Sequence, residues 1–351
     1  MMLQGHFIDT LLAIEYRDPD NIAYSTWLYF RGITAPVFFT ISGLIFTYLL
    51  IKAKEKGTLS IRIRKGLVRG LMLIGIGYAL RIPIFRWLTG KFGTYFMVID
   101  VLQCIGLSLI LIVSIYLLAR KKTLIFSVVM LCLGTLIFLC EPLFRTYSAE
   151  RIPLFFANYL TKVNGSVFTI LPWFGYMAYG AFIATLFYGY LTRPKFKTGL
   201  ITGFFVTGLI LVYGSTPVFL ELAKLINWTL LTEVANFNYL FIRLGNVLVI
   251  FGLFYAFEDY LKQPVVLIIG QKTLSIYVIH FILLYGSFTG LGLNQILGKV
   301  LTPFEVVFGA ICFLVTVSLI SIYIIKANTH IYKYIIDKLH YLKSLTKSLN
   351  N

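Results

Sequence analysis

The chain has 351 residues, of which 59% are hydrophobic and only 13% charged, and its mean hydropathy is +0.86. Soluble domains carry about a quarter charged residues, so this composition excludes that class and reads as an integral membrane protein. The formal net charge of +17 would suggest nucleic acid in a soluble chain, but here the cations cluster in short connections between apolar runs, which excludes that reading as well.

In chain order, the first apolar stretch is 1–14, holding His6, and it is followed by an acidic loop with Glu15, Asp18 and Asp20. Further apolar runs follow at 27–51, 66–85, 95–119, 123–140, 170–191, 198–214, 239–260, 265–285 and 304–325. Each is close to the roughly 20 residues that a spanning helix requires. With the first stretch they make about ten helices, so the expected fold is an all-α, polytopic membrane helix bundle. Lys52, Lys54, Lys56, Arg62, Arg64, Lys65 and Arg69 follow the second run. Arg120, Lys121 and Lys122 follow the fourth, and Arg193, Lys195 and Lys197 follow the sixth. Lys262 follows the eighth, and Lys326, Lys333, Lys338, Lys343 and Lys347 follow the last. These are alternate connections, so the positive-inside rule places them, and both termini, in the cytoplasm of an inner (plasma) membrane protein.

The connections 141–169 and 215–238 lie outside and are long. Their apolar stretches 152–160 and 218–226 are too short to span and are expected as re-entrant or interfacial helices lining an outer vestibule. No linker divides the chain, which reads as one membrane domain, 1–328, followed by a basic amphipathic cytoplasmic tail, 329–351. The opening stretch is short: about 14 residues at 1.5 Å each cover about 21 Å against a hydrocarbon core of about 30 Å. It reads as a helix that starts below the surface or has lost upstream residues. Cys104, Cys132, Cys140 and Cys312 lie in or at the ends of apolar runs, where they read as packing residues with no disulfide or metal framework.

Charge at bilayer depth costs at least about 2.5 kcal/mol, so ionisable residues within the apolar runs mark cavities or partners. They are His6, Arg31, Arg81, Asp100, Arg243, Lys272 and His280, with Gln103, Asn246 and Gln271 beside them. His6 precedes Glu15 by nine residues, which sets it about 13 Å below the outer surface on a continuous helix. That depth suits either transfer chemistry or a neutral histidine satisfied by a backbone carbonyl. Asp100 is a candidate catalytic carboxylate or the ion-pair partner of Arg81 or Arg31, with Gln103 on the same helical face. Arg31, Arg81, Gln103, Arg243, Asn246 and His280 are candidates for holding a glycan or anionic ligand; for Arg31 and Arg81, snorkelling is the alternative. Arg62, Arg64, Lys65, Arg69 and Lys272 are candidates for a phosphate-bearing donor on the inner side, or positive-inside anchors. No P-loop, G-x-S-x-G or metal-ligand cluster is present in the sequence.

The order of Met2-x-x-x-His6, the 31–43 return, Val101 through Ser108, Leu171 through Met177 and Ile268 through Phe281 resembles bacterial heparan-α-glucosaminide N-acetyltransferase-like membrane acyltransferases. The resemblance implies transfer of an acetyl or other acyl group from cytoplasmic acyl-CoA to an amine or hydroxyl of an extracytoplasmic glycan. His6 would be base or acyl carrier, and no metal takes part. The family pattern carries an Asp-x-x-Arg-Gly stretch ahead of the histidine, which is missing here, so Asp100 is the substitute candidate for orienting His6. A secondary transporter or flippase of a glycan or small anion is the alternative for so many helices with buried charge.

Overall fold

The computed structural model describes residues 1–323. The expected amphipathic tail at 329–351, with Lys326, Lys333, Lys338, Lys343 and Lys347, lies outside the described residues. Within them the fold is helical, as expected where backbone groups must be satisfied inside each segment, and the single isolated β-bridge joins Leu12 and Leu301. The principal helices are α1 (Met2–Leu11), α2 (Ile22–Glu55), α3 (Leu59–Ala79), α4 (Val101–Leu118), α5 (Thr123–Leu139) and α6 (Ile170–Tyr190). They continue with α7 (Phe196–Ile226), α8 (Tyr239–Ala256), α9 (Pro264–Gln271), α10 (Thr273–Tyr285) and α11 (Pro303–Tyr323).

Six segments among the described residues are long and apolar enough to cross a membrane, and α9 with α10 makes a seventh if the bent pair counts as one span. The other expected spans fall short by that measure: α1 has 10 residues, α5 has 17, and α3 carries Arg62, Arg64, Lys65 and Arg69 in its first half.

Local chemistry sets the helix limits. Asn21 opens α2 by accepting from the amides of Ala23 at 3.0 Å and Tyr24 at 3.1 Å. At about 1.5 Å per residue, the 34 residues of α2 extend about 51 Å, well beyond a 30 Å hydrocarbon core. The expected split between a span at 198–214 and a separate short helix at 218–226 is not observed; α7 runs unbroken to Asn227, which is left-handed with φ 47°. A π-turn at Ile210–Gly214 explains the continuity. It widens the helix where the ring of Pro217 would otherwise strike the carbonyl four residues back, at Tyr213. The apolar stretch at 152–160 does form a short helix, Leu154–Leu160. The run read as one span at 265–285 breaks at Lys272, where α9 and α10 meet at 65°.

The chain divides into two compact units. Among the described residues, one joins 1–19 to 259–323; the other is Asp20–Glu258. In the larger unit, α2 crosses α6 with backbone against backbone: a β-carbon at Gly43 would strike the Met177 carbonyl, and one at Gly180 the Thr40 carbonyl. Gly208 and Gly245 bring α7 and α8 together in the same way, each leaving room for the other's carbonyl oxygen. In the smaller unit, Phe7 of α1 packs on Phe313 of α11 with ring centroids 5.2 Å apart, above Gly309.

Candidate active site

The smaller unit assembles a histidine pair. His6 sits in α1, which ends at Leu11 because Leu12 turns extended, with φ −61° and ψ 131°. Two devices hold that end. Arg17 donates to the carbonyls of Leu12, from Nη2 at 2.7 Å, and Asp9, at 2.8 Å, placing a cation on the carbonyl end of the helix. Ala13 donates to the carbonyl of Leu301 and Leu301 to that of Leu11, both at 3.0 Å. The continuous helix expected from His6 to Glu15 is therefore not observed: His6 lies five residues from the end of α1, about 7.5 Å along its axis.

His280, in the middle of α10, is fully buried, and its ring stacks on that of His6 with centroids 5.2 Å apart and planes 24° from parallel. Its Nδ1 lies 3.3 Å from the carbonyl of Ile276. A carbonyl only accepts, so this bond puts the proton of His280 on Nδ1. Tyr285, the last residue of α10, reaches Nδ1 of His6 with its hydroxyl at 3.2 Å, its ring edge-on at 81°. Thr10 donates to the same phenolic oxygen at 3.5 Å. His6 and Thr10 are four residues apart and so lie one above the other on α1, which lets a single tyrosine meet both. Gly286, with φ +68°, then closes α10 in the left-handed conformation that a side chain disfavours. The sequence points to His6 and His280 but not to Tyr285, which is one of 23 tyrosines and is separated from His6 by 279 positions.

The remaining candidates fall into separate groups. Asp100 is the N-cap of α4: its carboxylate accepts from the amide of Val101 at 2.8 Å, and the side-chain oxygen of Gln103 accepts from the backbone amide of Asp100 at 3.2 Å. Arg81 donates to the second carboxylate oxygen of Asp100 at 2.7 Å and lies over the ring of Tyr95. Of the two readings of Asp100, the structure therefore realises the ion pair with Arg81. Gln103 is fully buried against Gly77, where a β-carbon would overlap its amide.

Arg243 and Asn246, three apart on α8, face Tyr29 and Gly32, three apart on α2. Tyr29 donates to Asn246 Oδ1 at 2.7 Å, and the Arg243 guanidinium covers Gly32, with a β-carbon there falling 3.2 Å from Nη2. Arg31 is exposed on the same turn of α2. Nearby in the chain after α5, Glu141 is buried and chelates Arg145, and those hydrogen bonds hold the arginine above its usual pKa.

On the expected inner side, Arg62 packs its guanidinium over Phe46 while Arg64, Lys65 and Arg69 stay exposed along α3. Lys272 occupies the N-cap position of α10, at the 65° break. No group of three or more metal-ligating side chains occurs among the described residues.

The apolar helices define a multi-pass membrane protein, and within it the half-buried His6 ring stacks on the buried His280. A family model described as heparan-alpha-glucosaminide N-acetyltransferase, catalytic, matches residues 1–223, and the chain belongs to that family. It is therefore a member of an acetyltransferase family whose donor in general is acetyl-CoA. No curated protein and no solved structure matches the chain. The matched region includes His6, Arg31, Arg62, Arg64, Lys65, Arg69, Arg81, Asp100 and Gln103, and ends before Arg243, Asn246, Lys272, His280 and Tyr285.

Proposed function

We propose that this protein moves an acetyl or other acyl group from cytoplasmic acyl-CoA to an amine or hydroxyl of an extracytoplasmic glycan, with His6 as the reacting imidazole. The observation that carries this reading is the contact of His6 with both His280 and Tyr285 in a chain of this family. In direct transfer, His6 takes a proton from the acceptor as its nitrogen or oxygen attacks the thioester carbonyl. The C–S bond breaks, and the CoA thiolate leaves and recovers the proton. In the two-step version, the His6 ring nitrogen first attacks the thioester and releases CoA, then passes the acyl group to the acceptor.

The arrangement proposed is about ten spans with both termini cytoplasmic, in which α1, α3 and α5 also lie in the membrane and α9 with α10 forms one broken span. Arg62, Arg64, Lys65 and Arg69 on α3, or Lys272 at the start of α10, would meet the CoA phosphates. Arg31, Arg243 and Asn246 would meet the acceptor, and Asp100 would act through Arg81 by fixing the start of α4.

The test is acyl transfer in membranes given labelled acetyl-CoA and amino-sugar acceptors. His6→Ala should lower labelled product by roughly 100-fold or more, the range for loss of a positioned acid–base group. Equal labelling by wild type and variant would refute the role of His6. Solute uptake by proteoliposomes without any donor would favour transport instead.

A further inference from the structure

We propose that Tyr285 is a positioning residue for His6: its phenolic oxygen accepts the Nδ1 proton, and the His280 ring fixes the imidazole plane, so that the lone pair is held on Nε2. The inference rests on the acyltransferase reading of His6 and adds to it the residues that select the reactive form of the ring.

A neutral histidine acts as base or nucleophile through the nitrogen that lacks a proton, and the partner of the other nitrogen decides which one that is. The hydroxyl of Tyr285 is the partner of His6 Nδ1, at 3.2 Å. The same hydroxyl oxygen accepts from Thr10 at 3.5 Å. A phenol oxygen has two lone-pair sites, so the Nδ1–H of His6 can converge with Thr10 on it while the phenol proton goes elsewhere. With Nδ1–H as the donor, Nε2 of His6 is the basic nitrogen.

His280 completes the arrangement. Its ring is buried completely and held by its own backbone through Ile276, and it lies 5.2 Å from His6 at 24°. With Tyr285 edge-on at 81° and His280 face-on, rotation of the His6 ring is opposed on two sides. His6 itself is only half-buried, whereas His280 is buried completely.

The decisive measurement is the tautomer of His6. The full chain, which has 4 histidines, is labelled with ¹⁵N-histidine in lipid nanodiscs, and the His6 signal is identified by its loss in His6→Gln. The expected wild-type spectrum shows the proton on Nδ1. In Tyr285→Phe the proton should move to Nε2, with kcat falling roughly 10-fold or more, as for loss of one buried hydrogen bond to a reacting group. KM for donor and acceptor should stay within about 3-fold, because binding is not what the phenol serves. Tyr285→Gln, which restores an acceptor oxygen, should recover part of kcat. Wild-type His6 protonated on Nε2 would overturn the proposal without any variant, and so would an unchanged tautomer and kcat in Tyr285→Phe. Wild-type protein that shows the expected tautomer but transfers no acyl group would instead refute the acyltransferase reading.

Discussion

Replacing Asp100 separates a structural carboxylate from a catalytic one. It forms an ion pair with Arg81 at 2.7 Å, and the two side chains are only 15% and 5% exposed. Breaking such a pair from one side costs about 3–5 kcal/mol, because the remaining charge loses its counter-ion in a poorly hydrated place. Asp100→Asn keeps an N-cap acceptor for α4 and should lose only that ion-pair part, whereas Asp100→Ala should lose about 1 kcal/mol more with the cap. Arg81→Met should cost a similar amount from the other side. The double variant Arg81→Met/Asp100→Asn should recover to within about 2 kcal/mol of wild type, since replacing both charges of a buried pair is often close to neutral. The residual deficit includes the Arg81 contact over Tyr95, worth about 1 kcal/mol. The assay is reversible unfolding by denaturing detergent in mixed micelles for wild type and all four variants, with acyl transfer measured on the same preparations. A coupling energy of at least about 2 kcal/mol is expected, together with activity that follows the folded fraction. An Asp100→Asn protein that is as stable as wild type yet transfers nothing would refute this account and return Asp100 to the reacting centre.

Further substitutions test other parts of the structure. Gly180→Ala should lower the thermal midpoint, because the added methyl meets the Thr40 carbonyl and overpacking of this kind costs about 1–3 kcal/mol. Gly75→Ala, where nothing lies within 4 Å, should be neutral or stabilising by up to about 1 kcal/mol; equal effects at both sites would refute the α2–α6 contact. Arg17→Ala removes the donors that hold the carbonyls of Asp9 and Leu12 and should cost about 1–3 kcal/mol, read by thermal unfolding. A drop in acyl transfer larger than the loss of folded protein would show that the end of α1 also sets His6. Charge reversal at Arg64 and Lys65 together should raise donor KM by roughly 10-fold or more if they hold phosphate, and an unchanged KM would make them topology anchors only.

Much of this protein was legible in the sequence because membrane helices announce themselves through composition. The apolar runs located most of the long helices, and both His6 and His280 stood out as rare ionisable groups within them. The misreadings have local causes. Hydropathy averages over windows, so it cannot register the π-turn that carries α7 past Pro217, nor the 65° break at Lys272. The depth assigned to His6 assumed helix up to Glu15, whereas Leu12 and Ala13 leave the helix to pair with Leu301. That pairing lies 289 positions away along the chain, beyond any local pattern. Asp100 does lie in the candidate span 94–118, near its end as expected, but hydropathy could not show that the α-helix itself starts only at Val101, so that its carboxylate is a helix cap. Tyr285 carried no signal, since an aromatic residue near the end of an apolar helix is ordinary.

The bridge between Leu12 and Leu301 also sets a timetable for synthesis. His6 leaves the ribosome long before His280, Tyr285 and Leu301. At about 5–20 residues per second, Leu301 is made about 15–60 s after Leu12. Through that interval α1 has neither its bridge nor the ring that stacks on His6. The His6–His280 pair therefore assembles only after α10 has been made, and a nascent chain stalled anywhere before α10 carries His6 without its partners.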